Sequence, residues 1–152
     1  MTYKHLRKRH TDKHMEKEIR QKLERFITEN EYIQYLGLHF SLIEEGHAMA
    51  QIPYRHDLCN PYGSLHGGVL YSLADIVSGV AACTYGHYAT TTQGNMNYLL
   101  PAFLTEYVQC EARVARQGKH IAVYQVEIRD DKQQVLQTGS FQFYLMEKNL
   151  TQ

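Results

Sequence analysis

The chain has 152 residues with 16 basic and 16 acidic side chains and 43% hydrophobic residues, a composition typical of one globular domain. Its three cysteines are scattered and form no CxxC pair, which excludes the common disulfide, zinc and thiol-redox frameworks and fits a reducing compartment. Polar residues interrupt the longest apolar stretch, residues 69–83, so it is too short and too polar to cross a bilayer. We therefore expect a cytoplasmic protein without a membrane segment.

The amino-terminal segment is basic. Residues 1–25 carry nine Lys or Arg against four acidic residues. No zinc-finger, helix-turn-helix or aromatic RNA-binding pattern accompanies this charge, so we expect no nucleic-acid partner. Apolar residues recur every three to four positions between residues 12 and 30, which predicts an outer amphipathic helix that ends at Asn30. We interpret residues 1–30 as a basic, mobile tail followed by this helix, and residues 31–152 as the folded domain.

The rest of the chain alternates between strand-like and helical patterns. Period-two runs of apolar residues predict six strands, and a long apolar run predicts a helix from about residue 65 to residue 85. The predicted strands span residues 36–45, 46–53, 88–100, 106–116, 120–129 and 135–146, and a loop spans residues 54–64.

The long helix determines the fold prediction. A helix that is apolar nearly all round must be buried, and one sheet can cover only part of it. We therefore predict an α+β fold in which an antiparallel sheet of about five to six strands wraps around a central helix, with an extra N-terminal helix outside. We expect a partner chain to cover the part of the helix that the sheet leaves open.

The most informative segment, residues 60–75, reads NPYGSLHGGVLYSLAD. Glycines at a helix start allow close approach to backbone N–H groups that have no acceptor within the helix. Asp75 is the one carboxylate of the predicted helix, and a lone carboxylate is costly to bury unless it is paired or has a chemical task. The segment therefore offers an oxyanion-type donor site at its glycine-rich helix start and a candidate base or nucleophile at Asp75.

This segment resembles the hotdog-fold acyl-CoA thioesterases, specifically their phenylacetate-pathway (PaaI-like) branch. The similarity rests on the motif N-x5-HGG-x6-D within residues 60–75, on a strand that ends at Pro101 and on the turn RQGK at residues 116–119. It covers about residues 36–146. The resemblance implies a hotdog fold for residues 31–152 and hydrolysis of an aryl- or fatty-acyl-CoA to the free acid and CoA.

The resemblance also implies roles for individual residues. The Gly67 N–H polarises the thioester carbonyl, and Asp75 is the general base or the nucleophile. Asn60 orients the attacking water or the substrate, and His66 supports the loop and the thioester pocket. Thr91, or one of its neighbours Thr90 and Thr92, supplies a hydroxyl that assists Asp75.

Substrate binding is assigned to three further positions. Gly68 lets the backbone approach the substrate closely. The resemblance implies that Arg116 and Lys119 meet the nucleotide phosphates of coenzyme A. No Cys/His or acid cluster has metal-ligand spacing, so we expect no metal, and no cofactor beyond the coenzyme A that belongs to the substrate.

The spacing of Gly67 and Asp75 has a consequence for assembly. Eight residues on one helix correspond to about 12 Å along its axis. The two residues therefore cannot both contact one thioester carbon within one chain. If both are catalytic, the site combines Gly67 of one subunit with Asp75 of another. The resemblance likewise implies a homodimer or a dimer of dimers with shared sites.

Structural roles compete with these assignments. Asp75 can be a structural acid bonded to a neighbouring hydroxyl, His66 a packing residue of the loop, and Asn60 a cap of the turn before Pro61. For the whole protein, the alternative to an enzyme is a non-catalytic acyl-CoA-binding module that acts as a ligand sensor. The presence of Asp75 favours the enzyme, because a sensor does not need this carboxylate.

Overall fold

A six-stranded antiparallel sheet packs around one long helix in the computed structural model, which describes residues 15–151. The helices are α1 (Lys17–Glu29), α2 (Glu31–Leu36) and α3 (Gly67–Cys83), and a 3-10 turn spans His56–Leu58. The strands are β1 (His39–Glu44), β2 (His47–Pro53), β3 (His87–Tyr98), β4 (Tyr107–Gln117), β5 (Ile121–Asp130) and β6 (Val135–Asn149). Their order in the sheet is β1-β2-β4-β5-β6-β3. The predicted α+β architecture, with a central helix and an extra N-terminal helix, is confirmed.

The first helix begins later than the sequence pattern indicates. Periodicity predicts a start near residue 12, but residues 15 and 16 are not helical and α1 begins at Lys17. The predicted mobile tail lies outside the described residues. No helix between residues 15 and 151 is long and apolar enough to cross a membrane.

Helix α1 covers the outer edge of the sheet. Ile19 and Leu23 are buried in a small cluster with Ile43 of β1 and Leu150, which follows β6. The Arg20 guanidinium donates a hydrogen bond to the Ile43 carbonyl at 3.0 Å. This contact satisfies a backbone acceptor at the edge of β1, where no other strand of residues 15–151 pairs.

Helix α2 corrects the sequence prediction, which places a strand from residue 36. The Asn30 side chain accepts a hydrogen bond from the Ile33 N–H at 3.0 Å and so caps the start of a second helix. Gly37, with φ of 67°, ends this helix in a left-handed conformation that favours glycine. The strand β1 therefore begins only at His39. Asn30 ends one helix, as predicted, and also starts the next.

The core lies between the inner face of the sheet and one side of α3. The largest fully buried side chains include Tyr124, Phe141, Phe143 and Ile52, all on strands. Helix α3 contributes seven buried residues, namely Leu70, Leu73, Ala74, Val77, Ser78, Ala81 and Ala82. These residues define the side of α3 that faces the sheet. The helix is two residues shorter at each end than predicted, because His66 and Thr84 act as its caps.

The opposite side of α3 is left open. Gly68 is exposed, and Ser72 and Ile76 are only partly buried. Their spacing of four residues places them on one face of the helix. We call this set the open face of α3. Gly68 and Ser72 are small, so another helix or a substrate can approach the α3 backbone closely beside them. Gly79 lies outside this set, because a Cβ atom there would be 3.4 Å from the Phe143 ring.

Strand β3 forms the far edge of the sheet and flanks this face. Tyr71 of α3 packs across Gly94 of β3, and its ring lies 5.1 Å from that of Phe141 in an edge-on contact. A Cβ atom at Gly94 would collide with the Tyr71 hydroxyl and would lie 2.7 Å from the Phe141 ring. Glycine at this position therefore allows α3 to approach β3.

We expect Gly94→Ala to reduce the free energy of unfolding by about 1–3 kcal/mol, because the added methyl overfills a packed contact. Thermal or denaturant unfolding would measure the change. Asn95→Ala, on the exposed face of the same strand, is the matched control. Adding Tyr71→Phe should restore part of the loss by removing the colliding hydroxyl. A Gly94→Ala protein as stable as the wild type would contradict this packing.

Candidate active site

The loop before α3 is tied to the rest of the domain by its backbone. Cys59 and Leu65 form an isolated antiparallel bridge, and the His66 N–H donates to the Leu58 carbonyl at 2.9 Å. The Leu65 N–H donates to the carbonyl of Ala102 at 3.0 Å. These bonds fix the chain on both sides of the turn, so the first residues of α3 start from a defined position.

Asn60 organises the turn within this loop. Its side-chain oxygen accepts hydrogen bonds from the N–H groups of Tyr62 at 2.9 Å and Ser64 at 3.2 Å. Its Nδ2 donates to the Ser64 hydroxyl at 2.9 Å, which leaves a second Nδ2 hydrogen for another acceptor. Within the described chain Asn60 forms no hydrogen bond to Gly67 or Asp75. These contacts match the turn-capping role that the sequence offered as an alternative.

His66 caps α3 and determines which of its first N–H groups remain free. Its Nδ1 accepts the N–H of Gly68 at 3.1 Å, which requires Nδ1 to be unprotonated. Its carbonyl accepts the N–H groups of Val69 at 2.9 Å and Leu70 at 3.2 Å. Between residues 15 and 151, no acceptor binds the Gly67 N–H. Gly67 therefore presents a free donor at the positive end of the helix dipole.

Tyr98, at the end of β3, is a site residue that sequence reasoning missed. Its hydroxyl donates to the Gly67 carbonyl at 2.9 Å. Its ring would lie 3.3 Å from a Cβ atom at Gly67, so a side chain there would crowd both the ring and the donor. Burial raises the pKa of Tyr98, and Tyr71 raises it further, so the phenol stays a donor at neutral pH. No spacing or motif in the sequence points to this contact.

The carboxylate of Asp75 meets Thr91 of β3. The Thr91 hydroxyl donates to Asp75 Oδ1 at 2.6 Å. The Thr92 hydroxyl instead donates to the Gln142 carbonyl at 3.2 Å, beside an irregularity in the pairing of β3 with β6. Of the threonines that the sequence left open, Thr91 is therefore the one in contact with Asp75. No Lys or Arg between residues 15 and 151 forms an ion pair with this carboxylate.

The two turn residues assigned to substrate binding lie away from the start of α3. Arg116 and Lys119 are exposed, and neither forms an ion pair with another described residue. Their turn lies near the carboxyl end of α3, because Tyr124 Oη is 3.3 Å from both Gln117 Oε1 and the Ala81 carbonyl. A free basic turn beyond the end of α3 can receive a phosphate group.

Two of the three cysteines, Cys83 and Cys110, are poor nucleophiles. Burial raises the pKa of Cys83 to about 11 and raises the pKa of the fully buried Cys110 as well. Both thiols are therefore protonated at neutral pH. Among residues 15–151, no three His, Cys, Asp or Glu side chains lie close enough together to hold a metal ion.

Comparisons with known proteins match this fold and this helix. Residues 62–137, half of the chain, match the thioesterase superfamily model. The acyl-coenzyme A thioesterase PaaI of Escherichia coli is 31% identical over 66% of this chain and 72% of its own length. The solved structure of E. coli PaaI, from the phenylacetic acid degradation operon, has a TM-score of 0.84 at 24% identity and covers 89% of this chain and 98% of that chain. A Streptococcus mutans protein, whose structure was solved bound to acetyl CoA, has a TM-score of 0.71 at 25% identity. The match covers 74% of this chain and 90% of that chain.

The fold and these matches define a hotdog-fold thioester hydrolase. Within that class, the chain belongs to the thioesterase superfamily, in its PaaI-like branch.

Thr91→Val removes the hydroxyl at nearly constant volume, and we expect kcat to fall by about ten- to a hundredfold. A hydrogen bond to a charged group contributes about 1.5–3 kcal/mol, which corresponds to that range of rates. Thr91→Ser should retain most of the activity. Thr92→Val is the matched control, because that hydroxyl bonds Gln142. Steady-state thioester hydrolysis measures all three, and equal effects of the two valine variants would contradict the role of Thr91.

Proposed function

We propose that the protein hydrolyses acyl-CoA thioesters to the free acid and coenzyme A. The observation that carries this proposal is the free Gly67 N–H at the start of α3, on the same helix as the Asp75 carboxylate that Thr91 holds. The name of the E. coli relative and the acetyl CoA bound to the S. mutans protein support coenzyme A as the carrier of the acyl group.

The proposed chemistry needs an oxyanion donor and a base. The Gly67 N–H and the helix dipole stabilise the negative charge that develops on the thioester oxygen. Asp75 removes a proton from a water molecule whose oxygen attacks the carbonyl carbon, or it attacks that carbon directly. On the water route, the carbon–sulfur bond breaks, and the sulfur leaves with the electron pair and takes up the proton that Asp75 received. On the direct route, the sulfur leaves as a mixed anhydride forms on Asp75, and water then hydrolyses this anhydride, which releases the acid, restores the carboxylate and supplies the proton that the thiolate takes up. No step requires a metal or a cofactor.

Two further residues prepare this site. His66 occupies the Gly68 N–H and thereby leaves the Gly67 N–H as the donor for substrate. Gly68 then contributes by the absence of a side chain at the mouth of the site. Asn60 holds the loop, and its second Nδ2 hydrogen is available to orient the water or the substrate.

We propose that each active site is shared by two copies of the chain. Gly67 and Asp75 are separated by about 12 Å along α3, so a donor and a base can meet only across an interface. The open face of α3 and the exposed edge of β3 offer the surface for a second copy. Two α3 helices packed antiparallel about a two-fold axis would form two such sites. A homodimer is the smallest assembly of this kind, and a dimer of dimers also satisfies it.

The carrier end of the substrate is assigned to the basic turn. Arg116 and Lys119 are free to bind the nucleotide phosphates of coenzyme A, and Arg binds phosphate through two parallel hydrogen bonds. We propose the cytoplasm as the location of this activity, since acyl-CoA is an intracellular metabolite class and all three cysteines are free.

Release of free thiol from a panel of aryl- and fatty-acyl-CoAs tests the proposed function. We expect turnover of at least one member, and a loss of about 10²-fold or more in kcat for Asp75→Asn, the usual effect of removing a positioned base. The substitution keeps the size of the side chain and removes its charge, so the protein should remain folded.

Glu127→Gln is the matched control for this loss of charge, because Glu127 pairs with Arg129 on β5. It should leave kcat unchanged. Acyl-CoA binding without turnover by the wild type would favour the ligand-sensor alternative. Unimpaired turnover by Asp75→Asn would contradict the role of Asp75.

A further inference from the structure

The aromatic ring of Tyr32, on α2, stands beside the open face of α3. Tyr32 Oη and Ser72 Oγ lie 2.7 Å apart. The Ser72 hydroxyl donates to the Gly68 carbonyl at 2.9 Å, so Tyr32 supplies the proton of the shared contact. A chain of two hydrogen bonds therefore links α2 to the first turn of α3.

Ser72 lies between Gly67 and Asp75, which on one helix serve two different active sites in the proposed dimer. It follows Gly68 by four residues and precedes Asp75 by three, and residues at these spacings neighbour one another on a helix surface. A tyrosine bonded to Ser72 is thus beside the stretch of α3 that separates the donor from the carboxylate. A group that extends along this stretch from the reacting carbonyl passes Ser72 and the Tyr32 hydroxyl bonded to it.

Helix α2 holds the ring in a defined place. Ile33 and Leu36 are 6% and 1% exposed and anchor α2 in the main core, whereas Tyr32 is 50% exposed. Tyr35 is 57% exposed on the same helix, but the Arg55 guanidinium lies 5.6 Å from its ring centre. The two tyrosines therefore lie on the same helix with similar exposure, but Tyr32 hydrogen-bonds Ser72 of α3, whereas Tyr35 lies against Arg55.

The two arms of the substrate leave the carbonyl in different directions. The basic turn of Arg116 and Lys119 lies near the carboxyl end of α3, beyond Asp75. If the nucleotide is bound there, the acyl group extends in the opposite direction along α3, toward Ser72 and Tyr32. This orientation rests on the proposed function, and it brings the far end of the acyl group to the Tyr32 ring.

We propose that Tyr32 is a specificity-determining residue that limits the length of the acyl group. Its ring closes the path along the open face of α3, and its bond to Ser72 keeps the ring in that position. Tyr32 lies outside the residues 62–137 that match the superfamily model, so this limit is supplied by the N-terminal part of the chain.

The test compares kcat/KM for dodecanoyl-CoA with kcat/KM for butanoyl-CoA. In Tyr32→Ala, this ratio should rise by about tenfold or more, the scale on which pockets discriminate added methylene groups. In Tyr32→Trp, the ratio should fall. In Tyr32→Phe, which keeps the ring on α2 but loses the bond to Ser72, the ratio should rise by less than in Tyr32→Ala. Tyr35→Ala is the matched control and should leave the ratio unchanged.

Two outcomes would overturn the inference. In the first, the wild type hydrolyses acyl-CoA and the Tyr32→Ala variant shows the same ratio as the wild type. The second is an equal change in Tyr35→Ala, which would trace the effect to loosening of α2. A wild type inactive on every acyl-CoA would instead overturn the proposed function. The same ratios, measured on acyl-N-acetylcysteamine thioesters, would then decide the role of Tyr32 without the nucleotide.

Discussion

The rise of an α-helix is the constraint on which this site depends. Helix α3 carries both Gly67 and Asp75, and eight residues of helix keep them about 12 Å apart. In the function we propose, a donor and a base must both reach one thioester group, so neither residue can complete a site with its partner on the same helix. The open face of α3 and the edge of β3, which no other described strand pairs, are the surfaces that we propose for a second copy.

The Gly67 N–H is a free donor because the other N–H groups at the start of α3 already have acceptors. A helix start has unsatisfied N–H groups, and His66 accepts two of them, that of Gly68 through its ring and that of Val69 through its carbonyl. Only Gly67 remains without an acceptor among the described residues. Tyr98 holds the Gly67 carbonyl from the side of β3, and Asn60 holds the preceding turn. The donor is therefore fixed by neighbours that do not themselves need to react.

The sequence predicted what depends on local patterns. The strands follow from period-two alternation, and the motif HGG-x6-D placed the helix start to within two residues and its carboxylate within the helix. Helix α2 was missed because its six residues are too few for a periodic signal, and because Asn30 serves two helices at once. Tyr98 and Tyr32 were missed because each reaches its partner through space, across 31 and 40 residues of chain. Such contacts depend on how β3 and α2 pack against α3, which local spacing does not encode.

Subunit mixing tests the shared site most directly. Asp75→Asn removes the base, and Gly67→Val fills the space beside the donor next to the Tyr98 ring. In a mixed dimer, one site inherits both defects and the other inherits neither. Two inactive parents should therefore regain up to about half of the wild-type activity per mixed dimer, if the sites work independently. No recovery, with folded parents and verified exchange of subunits, would show that each site is built within one chain and would contradict this account.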